Sequence, residues 1–210
     1  MLSLAYMDFS SCFTIFSPRL ELLPCLQEVR VGADVPPHLK SQSRKHRGEA
    51  PVPRAQSLEA LARLGLLPRL TALILKDVTQ GELEVALGAC GSRLRSLELH
   101  YMDRGVRLNS IARLAPGLRH LSISDSLVVW EEGEGVLGGL ESCRLMRVQY
   151  RGHGERAVLG GCQGLQSLHM EGGPGLAEDW LLSRLHRLNS LQVDLAKSKL
   201  LTVVDLRSCW

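Results

Sequence analysis

Residues Leu94–Leu99 read LRSLEL, and the same six-residue frame stands 24 residues earlier at Leu70 (LTALIL) and 24 later at Leu118 (LRHLSI). In an extended segment, successive side chains point to opposite faces. The fourth and sixth positions (Leu73 and Leu75, Leu97 and Leu99, Leu121 and Ile123) therefore share one face. The third, fifth and seventh share the other. One such strand cannot bury its apolar side alone, but stacked copies form a parallel sheet over a continuous core.

The frame recurs along the chain. LAYMDF starts at Leu4, LQEVRV at Leu26, LMRVQY at Leu145, LQSLHM at Leu165, LNSLQV at Leu188 and LTVVDL at Leu201. The first two starts are 22 residues apart, and those from Leu70 to Leu188 are 24, 24, 27, 20 and 23 apart. Self-similarity at this period marks a solenoid. The 13 residues from Leu188 to Leu201 are too few for a strand and a helix, so one of these two matches is spurious or the last coil is defective.

The connecting segments are expected to be helical. SLEALARLG has Ser57 as a cap, Glu59 in the first turn, and leucines at 58, 61 and 64. GLAEDWLLSRLHRL from Gly175 places Leu181, Leu185 and Leu188 on one side. ELEVALGAC (82–90) and RLNSIARLA (107–115) are shorter, the second stopped by Pro116. The expected fold class is an α/β solenoid of repeated strand, turn, helix and turn.

Two stretches interrupt the period. Between Leu26 and Leu70, residues 32–56 carry four prolines and five Lys/Arg against two acids, without apolar periodicity. Such a segment cannot offset its ordering entropy by burial. The expected organisation is repeats over 1–34, a disordered basic insertion over 35–56 and repeats over 57–210. The run Arg44, Lys45, His46, Arg47 reads as a solvated basic loop or as a nuclear-import or phosphate-binding patch. The second stretch, from Ser124 to Gly139, is read as irregular, with Trp130 either an exposed contact or a buried ring.

With its L-x-x-L-x-L strands, and with Cys90, Cys143 and Cys162 two to four residues before a strand's first leucine, the chain resembles the leucine-rich repeat family. Cys12 and Cys209 fall three residues after a strand's last apolar residue, similar to the cysteine-containing subclass of F-box and ribonuclease-inhibitor-like proteins. The asparagine of many such repeats is absent after the strand. Val78, Met102, Ser126, His153, Gly173 and Ala196 stand there instead. The resemblance implies a horseshoe with a parallel sheet on its concave face and helices or irregular turns outside. It also implies protein binding, and for the F-box subclass, substrate selection for a ubiquitin ligase. The cullin-adaptor link would need an F-box upstream of Leu4.

Composition narrows the function. Aromatic residues are only 4%, which offers few stacking rings, and a net charge of +3 is too balanced to argue for nucleic acid on charge alone. None of the six cysteines forms a C-x2-C pair, so reduced thiols and a cytoplasmic or nuclear location are expected. Asp8 interrupts the apolar first residues without a basic segment before it, and no signal peptide is expected. No apolar run approaches eighteen residues, so no membrane span is expected. The glycines of GEGVLGG and GHGERAVLGG lack the following GK[ST] and read as turns. His100, His120 and His169 lie on different coils and are not expected to share a metal. No cofactor and no catalytic residue is expected.

What remains is the outward strip: Lys76; Glu98 and His100; His120 and Ser122; Arg147, Gln149 and Arg151; His169 and Glu171; Gln192 and Asp194. This mixed-charge, hydrogen-bonding surface suits a protein partner met by a monomer. A regulator or inhibitor of an enzyme is the alternative, as is a fragment of a larger repeat protein, since neither end shows a polar cap.

Overall fold

Strands form at the described copies of the frame, with the exception of LMRVQY at Leu145. The structure is a computed structural model describing residues 25–31, 54–102, 105–129, 137–151, 162, 164–171 and 190–194. The LAYMDF and LTVVDL copies, the helix expected from Gly175, residues 35–53 and Trp130 lie outside the described residues. In chain order the elements are β1 (Glu28–Val31), α1 (Arg54–Ala62), β2 (Ala72–Lys76), α2 (Gln80–Cys90), β3 (Ser96–His100), β4 (Val106–Arg107) and α3 (Leu108–Leu114). There follow β5 (His120–Ser124), β6 (Leu127–Val129), β7 (Ser142–Met146), β8 (Gln149–Arg151), β9 (Ser167–Glu171) and β10 (Ser190–Asp194). The fold is mixed α/β. Its main sheet is seven-stranded in the order β1-β2-β3-β5-β7-β9-β10, and every neighbouring pair is parallel.

Equivalent residues stand side by side. Val29, Leu73, Leu97, Leu121, Cys143, Leu168 and Leu191 form one row across the sheet. The inward residues Leu73, Leu75, Leu97, Leu99, Leu121, Ile123, Cys143, Leu145 and Leu168 are at most 2% exposed. The backbone repeats its hydrogen bonds as faithfully. The amide of the frame's first leucine donates to the carbonyl three residues back at Leu70, Leu94, Leu118, Leu140 and Leu165. The next two amides then share one carbonyl of the preceding coil: Arg95 and Ser96 donate to Thr71 O, Arg119 and His120 to Arg95 O, and Glu141 and Ser142 to Arg119 O.

These bonds correct the frame of one coil. LMRVQY at Leu145 is not the strand; the copy begins at Leu140 and reads Leu-Glu-Ser-Cys-Arg-Leu. Both alignments satisfy the apolar pattern, but only the second treats a thiol as a core group, which a free cysteine's small apolar side chain allows. Cys143 takes the place of Leu121 and Leu145 that of Ile123. The uneven intervals of 27 and 20 become 22 and 25 in the observed register of Leu121, Cys143 and Leu168. Cys143 is thus a strand residue. It is not equivalent to Cys90, which ends α2, or to Cys162, which accepts the Leu165 amide in a turn.

The turn after each strand is also repeated. Asp77, Tyr101, Asp125 and Arg147, each eighth in its frame, have φ of 57°, 56°, 50° and 50°. Non-glycine residues enter this left-handed region at a cost. Here the turn aims the amides of Asp77, Tyr101 and Asp125 at His100 O, Ser124 O and Met146 O of the next coil, at 2.9, 3.1 and 3.0 Å. It also swings the ninth residue into the core: Val78, Met102, Ser126 and Val148 are all buried. In the corrected frame Val148, and not His153, occupies this place. Ser126 serves as a polar substitute for a core side chain. Its hydroxyl accepts the Met102 amide at 3.0 Å and donates to Ser124 O at 2.7 Å.

Helices return the chain along the other side. The first starts at Arg54 rather than at Ser57, so Ser57 and residues 54–56 of the stretch expected to be an insertion lie within it. Leu61 and Leu64 are buried, whereas Leu58 is half-buried. Helix α2 opens on a capping box: the Thr79 hydroxyl accepts the Glu82 amide, and the Glu82 carboxylate accepts the Thr79 amide. Its Leu83, Ala86, Leu87 and Cys90 face the core. Helix α3 stops at Leu114, two residues before Pro116.

The stretch after Ser124, expected to be irregular, is ordered at its start. β6 pairs with β4 and β8 in a second, three-stranded parallel sheet, with Val106, Val128 and Tyr150 in register. Among the described residues, no helix is long and apolar enough to cross a membrane.

Candidate protein-binding surface

Alternation leaves three rows of residues on the solvent side of the main sheet. The first runs Glu28, Ala72, Ser96, His120, Ser142, Ser167 and Ser190. The second runs Arg30, Ile74, Glu98, Ser122, Arg144, His169 and Gln192. The third runs Lys76, His100, Ser124, Met146, Glu171 and Asp194. Of the residues singled out in the sequence, Lys76, Glu98, His100, His120, Ser122 and His169 hold the strand positions expected. Glu171, Gln192 and Asp194 hold theirs in the register, and their side chains lie outside the described residues.

Arg147, Gln149 and Arg151 do not belong to this surface. Arg147 occupies the left-handed turn, and Gln149 and Arg151 are in β8 of the second sheet. Their places are taken by Ser142, Arg144 and Met146. The missed signal was Leu140-x-x-Cys-x-Leu, legible once cysteine is counted as apolar.

A polar chain crosses three coils at the end of these rows. His100 Nε2 lies 2.5 Å from Glu98 Oε1, and its Nδ1 lies 2.6 Å from Ser124 Oγ. The next residue, Asp125, accepts Arg147 Nε and a terminal guanidinium nitrogen at its carboxylate, both at 2.7 Å. His100 holds Glu98 below its ordinary pKa of 4.5 against the opposing effect of burial. Arg147 likewise holds Asp125 below 3.8. A Ser–His–Glu sequence invites comparison with a nucleophilic relay, but such a nucleophile must face a reacting carbon. Ser124 is only 6% exposed, with its hydroxyl committed to His100 of the neighbouring strand. The chain of groups is a cross-link.

Two further ion pairs lie on or beside the described face. Arg30 pairs with Glu28 at 2.8 Å, and at the strand entrances Arg119 pairs with Glu141 at 2.9 Å. Cys90, Cys143 and Cys162 are buried, and burial pushes the Cys90 thiol up to about 11, Cys162 up to about 12, and Cys143 higher still, which disfavours a reactive thiolate. Among the described residues, no group of three or more His, Cys, Asp or Glu is placed to hold a metal ion.

Compared with known proteins, the chain matches no family model, no curated protein and no solved structure.

Proposed function

We propose that the chain is a leucine-rich repeat array, a solenoid whose main sheet forms the concave surface, and that this surface binds a protein. The observation that carries the proposal is the set of in-register rows, polar and solvent-facing, laid over a leucine core. Seven strands at the usual parallel spacing span about 29 Å, the scale of a protein interface rather than of a small-molecule cleft. The described rows hold serines, histidines and charges of both signs, with few large apolar groups. Such a face gives specificity through hydrogen bonds and charge complementarity. It lacks the aromatic platforms on which unpaired bases stack.

Proximity labelling in cells tests this. Ser122→Trp places a bulky ring in the centre of the face, whereas Gly88→Arg adds bulk to the exposed side of α2. Proteins labelled by the parent chain should be lost with Ser122→Trp and kept with Gly88→Arg, with thermal melts establishing that both variants fold. The reverse pattern, or full retention with Ser122→Trp, would overturn the proposal.

A further inference from the structure

Two of the rows, followed across β5, β7 and β9, enclose a block with an unusual charge balance. The first row supplies His120, Ser142 and Ser167, and the second Ser122, Arg144 and His169. Three of the six are basic or imidazole side chains, three are hydroxyls, and none is an acid. Arg144 and His120 are exposed, and His169 is half-buried. Among the described residues, none of these three side chains makes a hydrogen bond or an ion pair. That sets the block apart from its surroundings, where Arg30, Arg119 and Arg147 each hold a carboxylate.

Strand spacing places Arg144 and His169 about 4.8 Å apart at Cα, and His120 one strand over and two residues back. A long arginine side chain reaches both neighbours' territory. A guanidinium with free donors binds a carboxylate through two parallel hydrogen bonds, the strong form of this contact. The flanking hydroxyls and imidazoles add further donors over the same few ångströms.

From this we infer that the block docks an acidic segment of a partner protein, with an Asp or Glu carboxylate seated on Arg144 between His120 and His169. This rests on the protein-binding reading of the sheet and specifies which chemistry it recognises. The free energy comes from charge complementarity and geometry rather than from buried apolar area, so affinity falls as salt rises.

The test is selection from a random displayed-peptide library against the full chain, followed by titration of the selected peptides into variants. The expected result is a consensus containing Asp or Glu, with binding weakened ~10-fold or more by Arg144→Ser and several-fold by the double variant His120→Ser/His169→Ser. Peptides without acidic residues that are blocked by Ser122→Trp but unaffected by Arg144→Ser would overturn the inference while leaving the face a protein-binding surface. Peptides unaffected by Ser122→Trp, or no selected peptide at all, would overturn both. Arg144 is exposed at a strand position whose neighbours are serine and histidine, so Arg144→Ser removes no core contact. A second variant, Arg144→Lys, keeps the charge but not the fork. It should recover part of the affinity, and full loss with Lys would overturn a charge-based site.

Discussion

At the scale of the residue, the chain spends its few buried polar groups on joining coils. Ser124, Ser126 and the half-buried His100 and Asp125 are paired across neighbouring copies of the frame. Groups buried without such partners would each cost about 1–3 kcal/mol. The carboxylates in this set carry a pH signature. Arg147 lowers Asp125, and His100 lowers Glu98. A depressed carboxylate contributes stability that is whole above its ordinary value and is lost as pH falls through the folded value. The window therefore opens near 4.5 for Glu98 and near 3.8 for Asp125, and extends downward. Urea midpoints of the parent and of Asp125→Asn should differ at pH 6 and converge as pH falls below 3.8. A gap that stays constant down to pH 2.5 would remove Asp125 from the acid response.

At the scale of the element, the repeat works because each turn fits the carbonyls of its neighbour. Gly91, in the turn between α2 and β3, shows the constraint most directly. A Cβ there would sit 2.3 Å from the Leu114 carbonyl oxygen, a backbone atom that cannot step aside alone. Gly88, three residues earlier in α2, would meet nothing within 4 Å. The two glycines thus make opposite predictions under one substitution. Gly91→Ala should destabilise by about 1–3 kcal/mol through overpacking. Gly88→Ala should stabilise by about 0.5–1 kcal/mol through helix propensity. Chemical denaturation of both variants reads the contrast, and equal effects would refute the close approach at Gly91. The capping box at Thr79–Glu82 extends the helix two residues before the Glu82 start expected from the sequence, and T-x-x-E is the missed signal. The Gly91 contact was not legible, since its partner Leu114 lies in the next coil.

At the scale of the whole molecule, the solenoid we propose would hold each copy of the frame mainly through its neighbours. Leu121→Ala, in the middle of the sheet, should cost about 2–5 kcal/mol. Its hydrogen-exchange effect should be strongest in β3, β5 and β7 and fade toward β1. A uniform loss of protection across the sheet would argue for one indivisible unit instead of a repeat array. The sequence by itself determined the period, the alternation of buried and exposed positions, and the mixed α/β class, because leucine spacing controls burial over short distances and repeats many times. It placed Lys76, Glu98, His100, His120, Ser122 and His169 correctly on the strand rows for the same reason. It misplaced Arg147, Gln149 and Arg151, because two overlapping apolar patterns five residues apart were equally good on one coil. Only the tertiary structure decided between them. The backbone of neighbouring coils admits one register, and in that register Cys143 and Leu145 enter the core together while Arg144 comes to the open face.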